Sequence, residues 1–451
     1  MRTLFGTDGI RGRANEHPMT VETALRLGRA VAQVYGGGSS RARILVGKDT
    51  RLSGYMFEAA LFAGITSTGA DVIALGPLPT PGIAFLTTSM RADAGIVISA
   101  SHNAYCDNGL KVFGRDGFKL PDAVEERLEA LILSDEQADL AKDDAIGRAR
   151  RIDDAGGRYV THLKTMLRSE YDLDGLKIVV DCAHGAAYKV APTLFRELGA
   201  QVIEIGTDPD GVNINEGVGS LYPEAAAAAV REHGADLGVA LDGDADRLIL
   251  LDEKGNVVDG DAVLALCALE MHRVGTLARG TVVATVMSNM GLERALASQH
   301  IRVERTAVGD RYVVERMRSG GFNFGGEQSG HLVFLDHGTT GDGLVAALQV
   351  LNTMLGREKP LSELASVMQR APQILLNRRV LSKPPLDTLA TVQRAMRAAR
   401  ERLGSDGRVV VRYSGTEPKA RVMLEGMDAD LIEQLANDIC DAFGVDVGFA
   451  E

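Results

Sequence analysis

The feature that most constrains the fold is a regular alternation of short apolar segments with longer amphipathic ones. Apolar runs at residues 44–46, 72–75 and 95–98 predict buried strands, and the segments at 21–35 and 55–67 predict helices between them. Strands separated by helices form βαβ units and a largely parallel sheet. We therefore expect an α/β protein.

The same alternation continues in two further blocks of about a hundred residues each, which suggests three comparable α/β domains. After residue 370 the order changes to βαββα, which is typical of a smaller α+β domain. The charged segment at 135–154 predicts a boundary or a solvated linker. These patterns predict four domains, with the bounds 1–154, 155–254, 255–368 and 369–451.

Composition excludes several classes of protein. The formal net charge of −12 over 451 residues argues against broad binding to nucleic acid or to an anionic membrane. No apolar run approaches the roughly 20 residues that span a bilayer, and the N-terminus lacks a signal-like apolar region. The 4 cysteines lie far apart and form no CxxC pair, so reduced thiols are expected. We expect a cytoplasmic protein.

A first polar loop follows the apolar segment 95–98. Two hydroxyls, an imidazole and an amide come there in succession, from Ser99 and Ser101 to His102 and Asn103. Strand ends in α/β proteins commonly present reacting groups. A turn that merely caps a strand would use similar residues. Three further polar loops favour a site.

The second loop carries Asp242, Asp244 and Asp246. In extended backbone, side chains two residues apart point the same way, so the three carboxylates can converge. A hard divalent cation would relieve their repulsion, and Mg²⁺ prefers oxygen ligands. Apolar segments on both sides argue against a solvated acidic turn, so this loop predicts a metal site.

The third and fourth loops suit hydrogen bonding to a polar, charged ligand. Glu327, Ser329 and His331 alternate between glycines, which suits a polyhydroxylated ligand, although a polar hairpin turn would look the same. The fourth loop combines guanidiniums, hydroxyls and glycine backbone in a possible phosphate cradle. Its residues are Arg412, Ser414, Gly415, Thr416 and, nearby, Arg421. Alone, this loop could be a β-turn with chance arginines.

Taken together, these motifs resemble those of the α-D-phosphohexomutases. They occur in the family's order as FGTDGIRG, ISASHN with DNGLK, DGDADR, GGEQSGH with TTGDG, and YSGTEP, over essentially the whole length. The resemblance implies three similar α/β domains with mixed sheets around a central cleft, and a smaller C-terminal α+β domain. It also implies a homodimer, for which the residues themselves show no interface.

The resemblance assigns a role to each loop. Ser101 matches the family's phosphoserine, and Ser99 does not. The DGDADR run matches its Mg²⁺ loop, with the phosphate on Ser101 as a further ligand. GEQSGH matches the sugar-recognition loop, and RYSGTEP matches the clamp for the distal phosphate. Arg11, Lys111 and His331 match positions at or near the proton-transfer and phosphate groups.

The implied reaction is the reversible conversion of glucosamine 6-phosphate to glucosamine 1-phosphate, feeding UDP-N-acetylglucosamine synthesis. Phosphorylated Ser101 would form a glucosamine 1,6-bisphosphate, which turns over before Ser101 takes back the other phosphate. That sugar or glucose 1,6-bisphosphate would serve as activator. Mg²⁺, Arg247 and Lys111 would neutralise charge, and Lys111 or His331 would be the base. The family usually has proline at the position of Ala104. Proline would restrict the backbone of Asn103, so alanine leaves the loop looser.

Three alternatives compete with this interpretation. A phosphomannomutase or phosphoglucomutase would keep every catalytic group, although Gln328 and the FGTDGIRG run resemble the glucosamine branch more closely. A sugar-phosphate phosphatase would have less need of a distal clamp. A non-enzymatic sugar-phosphate sensor would have little use for a serine beside three carboxylates.

Overall fold

The computed structural model describes residues 4–6, 8–36, 41–134, 139–414 and 418–449. The chain forms two compact units. The first comprises Met1–Thr285 and Glu304–Val367, and the second comprises Val286–Val303 and Met368–Glu451. Each unit is described by itself.

The first sheet of the larger unit has six strands, and helices alternate with them along the chain. Its strands are β1 (Ile10–Arg13), β2 (Arg43–Lys48), β3 (Asp71–Pro77), β4 (Ala94–Ile98), β5 (Asp107–Gly114) and β6 (Ala149–Arg151). The helices are α1 (Val21–Tyr35), α2 (Gly54–Ser67), α3 (Thr80–Ser89), α4 (Asp122–Leu133) and α5 (Ala155–Lys164). The strand order is β1-β5-β4-β2-β3-β6, with β5 antiparallel to both β4 and β1.

The second sheet has five strands in the order β11-β10-β9-β7-β8. Its elements are β7 (Lys177–Asp181), α6 (Val190–Glu197), β8 (Gln201–Ile205), α7 (Glu224–His233), β9 (Leu237–Leu241), β10 (Leu248–Leu251) and β11 (Val257–Val258). The first three strands are parallel, and β10 returns antiparallel to β9. The acidic run between β9 and β10 therefore lies at the end of two buried strands.

The third sheet has four strands in the order β13-β12-β14-β15. The elements of this stretch are α8 (Gly260–Arg273), β12 (Thr281–Thr285), α9 (Met290–Ala297), β13 (Arg302–Thr306), α10 (Asp310–Gly320), β14 (Phe324–Gly326), β15 (Leu332–Phe334), α11 (Gly343–Arg357) and α12 (Leu361–Ala365). Strands β14 and β15 form an antiparallel hairpin, and β14 runs parallel to β12.

The C-terminal part of the smaller unit is an antiparallel sheet with two helices. Its elements are β16 (Gln373–Arg379), α13 (Ala390–Leu403), β17 (Gly407–Tyr413), β18 (Lys419–Gly426) and α14 (Ala429–Asp446). The strand order is β16-β18-β17. Val392 and Phe443 from the helices join Val422 and Leu424 of the central strand in one apolar core.

This architecture confirms the predicted fold class, with three α/β sheets and a smaller α+β part. The sheets are mixed, because antiparallel strands such as β5 and β10 accompany the parallel ones. The charged stretch before residue 154 is not only a linker, since β6 pairs with β3 at the edge of the first sheet. No helix in the described residues is both long and apolar enough to cross a membrane.

Candidate active site

The first polar loop, here called the serine loop (residues 99–106), leaves the end of β4, whose residues are all buried. Ser101 is only 2% exposed and has a left-handed backbone, with φ of 53°. Its N–H donates to the Ser99 hydroxyl over 2.9 Å, and its own hydroxyl donates to Oδ2 of Asp242 over 2.5 Å. Ser99 thus braces the turn, and Ser101 faces the second sheet.

The acidic loop (residues 242–247) brings three buried carboxylates together. One oxygen each from Asp242, Asp244 and Asp246 lies within 4.8 Å of the others. The three carboxylates converge as predicted. The prediction that extended backbone brings them together was wrong. The loop turns through Ala245, whose φ is 57°, and the Ala245 N–H donates to the Asp242 carbonyl over 3.0 Å.

The acidic loop fits a hard divalent cation. Within the described part of the chain, Oδ1 of Asp244 and Oδ1 of Asp246 are buried and accept no hydrogen bond. Burial, followed by the charges of Asp246 and Asp244, raises the pKa of Asp242 well above its ordinary value. Unsatisfied carboxylate oxygens that repel each other are the donor set that a cation such as Mg²⁺ would relieve.

Two side chains, one from α3 and one from β5, contact Asp244. The hydroxyl of Thr80, the first residue of α3, donates to Oδ2 of Asp244 over 2.6 Å, and the Thr80 N–H donates to its carbonyl over 3.0 Å. Nζ of Lys111, on β5, lies 3.0 Å from the same Oδ2. The acidic loop is therefore fixed to the first sheet without using Oδ1 of Asp244.

Lys111 is 1% exposed and surrounded by acids. Its Nζ lies 3.2 Å from Oδ2 of Asp8 and 3.6 Å from Oδ2 of Asp246. Burial alone would lower the pKa of Lys111, but Asp244, Asp8 and Asp246 raise it above its ordinary value. Arg11, on β1, pairs with Oδ2 of Asp8 at 2.6 Å. Lys111 is thus a buried cation in an acidic site.

A second lysine extends this network to the third sheet. Lys119 bridges Oδ1 of Asp8 and Oδ2 of Asp310, which begins α10. Burial opposes the charge of Asp8, but Lys111, Lys119 and Arg11 together lower its pKa. Burial also opposes the charge of Lys119, which lowers its pKa. The carboxylates of Asp310 and Asp8 outweigh that effect, so the pKa of Lys119 is raised.

His331 lies between two of these acids. Its Nδ1 is 3.7 Å from Oδ1 of Asp246, and its Nε2 is 3.6 Å from Oδ2 of Asp310. The same Nε2 accepts the Gly341 N–H over 3.2 Å. Burial disfavours the charged ring, but Asp246 and then Asp310 raise the pKa of His331.

Two further nitrogen-bearing side chains lie at the acidic loop, one within it and one in the serine loop. The Arg247 N–H donates to Oδ1 of Asp242 over 3.1 Å, and its Nε lies 3.9 Å from Asp246. Burial lowers the pKa of Arg247, whereas Asp246 and Asp242 raise it. Nδ1 of His102 lies 3.3 Å from the Ser101 hydroxyl. Burial, with Arg247 next, lowers the pKa of His102 to about 4, so this ring is neutral near pH 7.

The third polar loop, here called the hairpin loop (residues 327–331), joins β14 to β15. Oε1 of Glu327 accepts the Gly309 N–H over 3.0 Å, and the Ser329 hydroxyl lies 3.5 Å from Oε2. The Leu248 N–H donates to the Gly330 carbonyl over 3.0 Å. Gly330 has φ of 89°, and a Cβ there would lie 2.0 Å from the Leu248 carbonyl oxygen. The loop is a hairpin turn, and it is docked on β10.

The predicted phosphate cradle lies in the smaller unit. Arg412 on β17 and Arg421 on β18 are directly opposite each other in the antiparallel pair. Burial and the charge of Arg421 lower the pKa of Arg412. The Ser414 N–H donates to the Lys419 carbonyl over 2.8 Å. The two neighbouring guanidiniums offer planar sets of N–H donors, which match the geometry of a phosphate. Gly415 and Thr416 lie outside the described residues.

Sequence reasoning missed four residues of the larger unit's site, namely Asp8, Thr80, Lys119 and Asp310. Asp8 lies within the FGTDGIRG run, so it could have been considered with Arg11. Asp310 begins a helix, where an acidic residue normally needs no further explanation. Thr80 and Lys119 carry no local signal, because their partners are 164 and 191 residues away.

Four domain descriptions match nearly the whole chain. They are the phosphoglucomutase/phosphomannomutase alpha/beta/alpha domains I, II and III at residues 2–139, 157–255 and 259–371, and the C-terminal domain at 375–442. A phosphoglucosamine mutase of Anaeromyxobacter sp. (strain Fw109-5) is 60% identical over 445 residues, covering 98% of this chain and 95% of that protein. One of Syntrophotalea carbinolica is 58% identical over 442 residues, covering 98% and 97%.

Solved structures show the same fold at lower identity. A phosphoglucomutase/phosphomannomutase family protein of Burkholderia thailandensis aligns with a TM-score of 0.80 at 24% identity, covering 100% of both chains. Aspergillus fumigatus N-acetylphosphoglucosamine mutase, in complex with GlcNAc-6P and magnesium, aligns with a TM-score of 0.66 at 17% identity, covering 98% of this chain and 96% of that one. The chain belongs to the phosphoglucomutase/phosphomannomutase family.

Proposed function

We propose that the protein is an intramolecular phosphotransferase that interconverts glucosamine 6-phosphate and glucosamine 1-phosphate. The observation that carries this proposal is the 2.5 Å hydrogen bond from the Ser101 hydroxyl to Asp242 of the acidic loop. It supports a serine that carries a phosphoryl group beside a metal site. The full-length relatives named phosphoglucosamine mutase, at 58–60% identity, support the sugar.

The proposed metal is Mg²⁺, held by Asp242, Asp244, Asp246 and the phosphate on Ser101. The two buried carboxylate oxygens without hydrogen bonds in the described residues support this assignment. A bound magnesium ion would supply charge neutralisation, which phosphoryl transfer chiefly needs.

The protein's own cations would do the rest of that work. Lys111 and Arg247, both with raised pKa values, stay charged at the acidic loop, and Arg11 is joined to Lys111 through Asp8. In the reaction the bond from phosphorus to the Ser101 oxygen breaks, and a bond to a sugar hydroxyl oxygen forms. Because Lys111 stays protonated, the proton of that hydroxyl passes to the neutral ring of His331, and the Ser101 oxygen, which keeps the electron pair of the broken bond, takes up a proton. The reverse transfer takes the other phosphate of the bisphosphate back to Ser101.

Two groups of residues would bind the rest of the sugar phosphate. Glu327, Ser329 and His331 would accept and donate hydrogen bonds to its hydroxyl and amino groups. The phosphate that is not reacting would be held by Arg412, Ser414, Gly415, Thr416 and Arg421. The opposed arginine pair supports an anion at this place.

The competing activities differ in what they would leave on the protein or release. A phosphomannomutase or phosphoglucomutase would prefer a neutral sugar. A phosphatase would release inorganic phosphate in step with substrate loss, and a sensor would carry no phosphate on Ser101. We further propose a cytoplasmic location, a homodimer, and activation by glucosamine 1,6-bisphosphate or glucose 1,6-bisphosphate.

The test combines intact-mass analysis with turnover. The purified protein should gain one phosphoryl group, mapped to Ser101, after incubation with a hexose 1,6-bisphosphate. It should convert glucosamine 6-phosphate faster than glucose or mannose phosphates, with Mg²⁺ present. Ser101→Ala should fold and lose the phosphate and the conversion, whereas Ser99→Ala should still be phosphorylated at Ser101. A preference for a neutral sugar would overturn the substrate assignment. Full activity of Ser101→Ala would overturn the proposed phosphoserine mechanism.

A further inference from the structure

The side chain of Arg51 is buried directly behind the serine loop. It is 0% exposed, and its Nε donates to Oδ2 of Asp49 over 2.8 Å. Oδ1 of Asp49 accepts the Arg51 N–H over 3.0 Å. The pair lies just after β2. A buried guanidinium is favourable only where its donors are satisfied.

All the remaining donors of Arg51 go to the backbone of the serine loop and the first residue of β5. Nη2 donates to the carbonyls of Ser101 and Asn103, both over 2.9 Å. Nη1 donates to the carbonyls of Ala104 and, over 3.2 Å, Asp107. A guanidinium has five N–H donors in a fixed fork, so Arg51 uses every one. These four acceptors, three in the serine loop and one in β5, are main-chain carbonyls, and alanine at position 104 supplies its carbonyl as well as proline would.

Asn215, from the second sheet's side, holds two of the same carbonyls. Its Nδ2 donates to the carbonyl of Ser101 over 2.9 Å and to that of Asn103 over 3.0 Å. Gly243 of the acidic loop also approaches, since a Cβ there would lie 2.6 Å from the Ser101 carbonyl oxygen. The Ser101 carbonyl therefore accepts hydrogen bonds from both Arg51 and Asn215, while the Ser101 hydroxyl donates to Asp242.

The conformation that these contacts hold is an unfavourable one. Ser101 has φ of 53°, and left-handed backbone is sterically unfavourable for a residue other than glycine. A phosphoryl group must be presented in line with its acceptor, and small misplacements of a reacting group are expensive. The donors of Arg51 and Asn215 oppose relaxation of Ser101 away from the acidic loop.

We propose that Arg51, together with Asn215, is a positioning residue that sets the direction of the Ser101 side chain through the loop's main-chain carbonyls. This inference rests on the proposed function of Ser101 as the phosphoryl carrier. Arg51 contacts no reacting atom, so its effect falls on the rate of phosphoryl transfer and not on sugar affinity. The same contacts also predict slow amide exchange in residues 99–106.

The test compares Arg51→Lys, Arg51→Ala and Asn215→Ala with the control Asn352→Ala. Asn352 is as buried as Asn215, and it hydrogen-bonds main-chain groups of Met166 and Arg168 instead of those of the serine loop. The readouts are kcat and KM for glucosamine 6-phosphate, phosphate on Ser101 by intact mass, and hydrogen exchange of residues 99–106. Thermal unfolding and circular dichroism report folding.

For the Arg51 variants, kcat should fall about 100-fold, since a shift near 1 Å has that effect. Free guanidinium ion at millimolar concentration should restore part of the kcat of Arg51→Ala, and tetramethylammonium should not. For Asn215→Ala, kcat should fall about tenfold, with KM within about threefold and faster exchange in the loop. Asn352→Ala should lose stability and keep its kcat below its unfolding temperature.

The proposal is overturned if folded Arg51→Lys and Asn215→Ala keep the wild-type kcat, or if Asn352→Ala loses kcat as strongly as Asn215→Ala. If neither Arg51 variant folds, Asn215→Ala decides alone. Wild-type turnover is measured first. A wild-type preference for another hexose phosphate overturns only the substrate assignment, and the variants are then compared on that sugar. Absence of phosphate on wild-type Ser101 overturns both proposals.

Discussion

The hydroxyl of Ser101 donates a 2.5 Å hydrogen bond to Oδ2 of Asp242. The carboxyl that accepts it has a pKa well above its ordinary value, because burial and the neighbouring carboxylates disfavour its charge. Without a cation the charged form of Asp242 is therefore less favourable than in an ordinary carboxyl, and a cation would oppose that effect by supplying positive charge.

Asp242→Asn imitates the neutral acid. We therefore expect its free energy of unfolding to differ from that of the wild type by less than about 1 kcal/mol in the absence of Mg²⁺. Saturating Mg²⁺ should stabilise the wild type by about 2.7 kcal/mol at 100 times its dissociation constant. The variant should lose that gain. Thermal unfolding over a Mg²⁺ titration, with a chelator as baseline, measures both. An equal Mg²⁺-dependent rise in the variant would contradict the metal assignment.

The bridge that Lys119 forms between Asp8 and Asp310 should be strongly cooperative. Lys119→Met removes the cation that bridges two half-buried carboxylates, of which Asp8 keeps Arg11 and Lys111 as partners, and should destabilise the protein by about 2 kcal/mol. Adding Asp310→Asn should restore part of that loss, because one of the two charges is removed. Urea unfolding of the wild type, both single variants and the double variant gives the coupling energy. Additive losses would mean that the bridge contributes no coupling.

Replacing one of the opposed arginines of β17 and β18 should weaken substrate binding strongly and change the stability of the unliganded protein little. Arg412→Ala should raise KM for the sugar phosphate by about 10- to 100-fold, since hydrogen bonds to charged groups contribute about 1.5–3 kcal/mol. The unliganded variant should lose less than about 0.5 kcal/mol of stability, because a like-charge contact is relieved. Arg402→Ala, an exposed arginine on α13, is the control and should leave KM unchanged. An unchanged KM in Arg412→Ala would remove this residue from the clamp.

Asp342 should make the protein less stable as the pH rises through the acidic range. This carboxyl caps α11 and accepts the Tyr159 hydroxyl over 2.5 Å, and burial raises its pKa from 3.8 to about 6. A raised carboxyl pKa gives stability that is complete below pH 3.8 and is lost as the pH rises through 6.

The whole shift corresponds to about 3 kcal/mol at 1.36 kcal/mol per unit. Asp342→Asn cannot titrate, so the wild type should lose up to about 3 kcal/mol relative to this variant between pH 4 and pH 8. Chemical unfolding of both proteins across that range checks the sign. A constant difference between them would show that Asp342 keeps the same pKa when the chain unfolds.

The parts of the fold that could be predicted are those with a clear local period. The predicted segments 21–35, 44–46 and 95–98 fall in α1, β2 and β4, because one apolar face or one buried strand shows directly in the residues. Helix α11 carries no such signal, since it is buried on nearly every side. Helix α3 opens with Thr80-Pro81-Gly82, which looks like a turn, although proline is tolerated in a first helical turn.

The same distinction holds for the site. Ser101 and the three aspartates could be predicted because each follows an apolar strand, where polar side chains stand out. Arg51 could not, because four of its five acceptors are main-chain carbonyls, which every residue possesses. Lys119 and Asp310 meet only through the packing of sheets that are distant in sequence.

The contact between Gly330 and Leu248 has a consequence for how the protein can change over evolution. Leu248 opens the strand that leaves the acidic loop, and Gly330 lies in the loop that carries Glu327, Ser329 and His331. Because a single added carbon atom at position 330 would collide with the Leu248 carbonyl, the distance between the acidic loop and the hairpin loop is set by backbone contact. Under the proposed function, selectivity for a new sugar would then arise by exchanging side chains on the hairpin loop, while the backbone of that loop keeps its distance from the acidic loop.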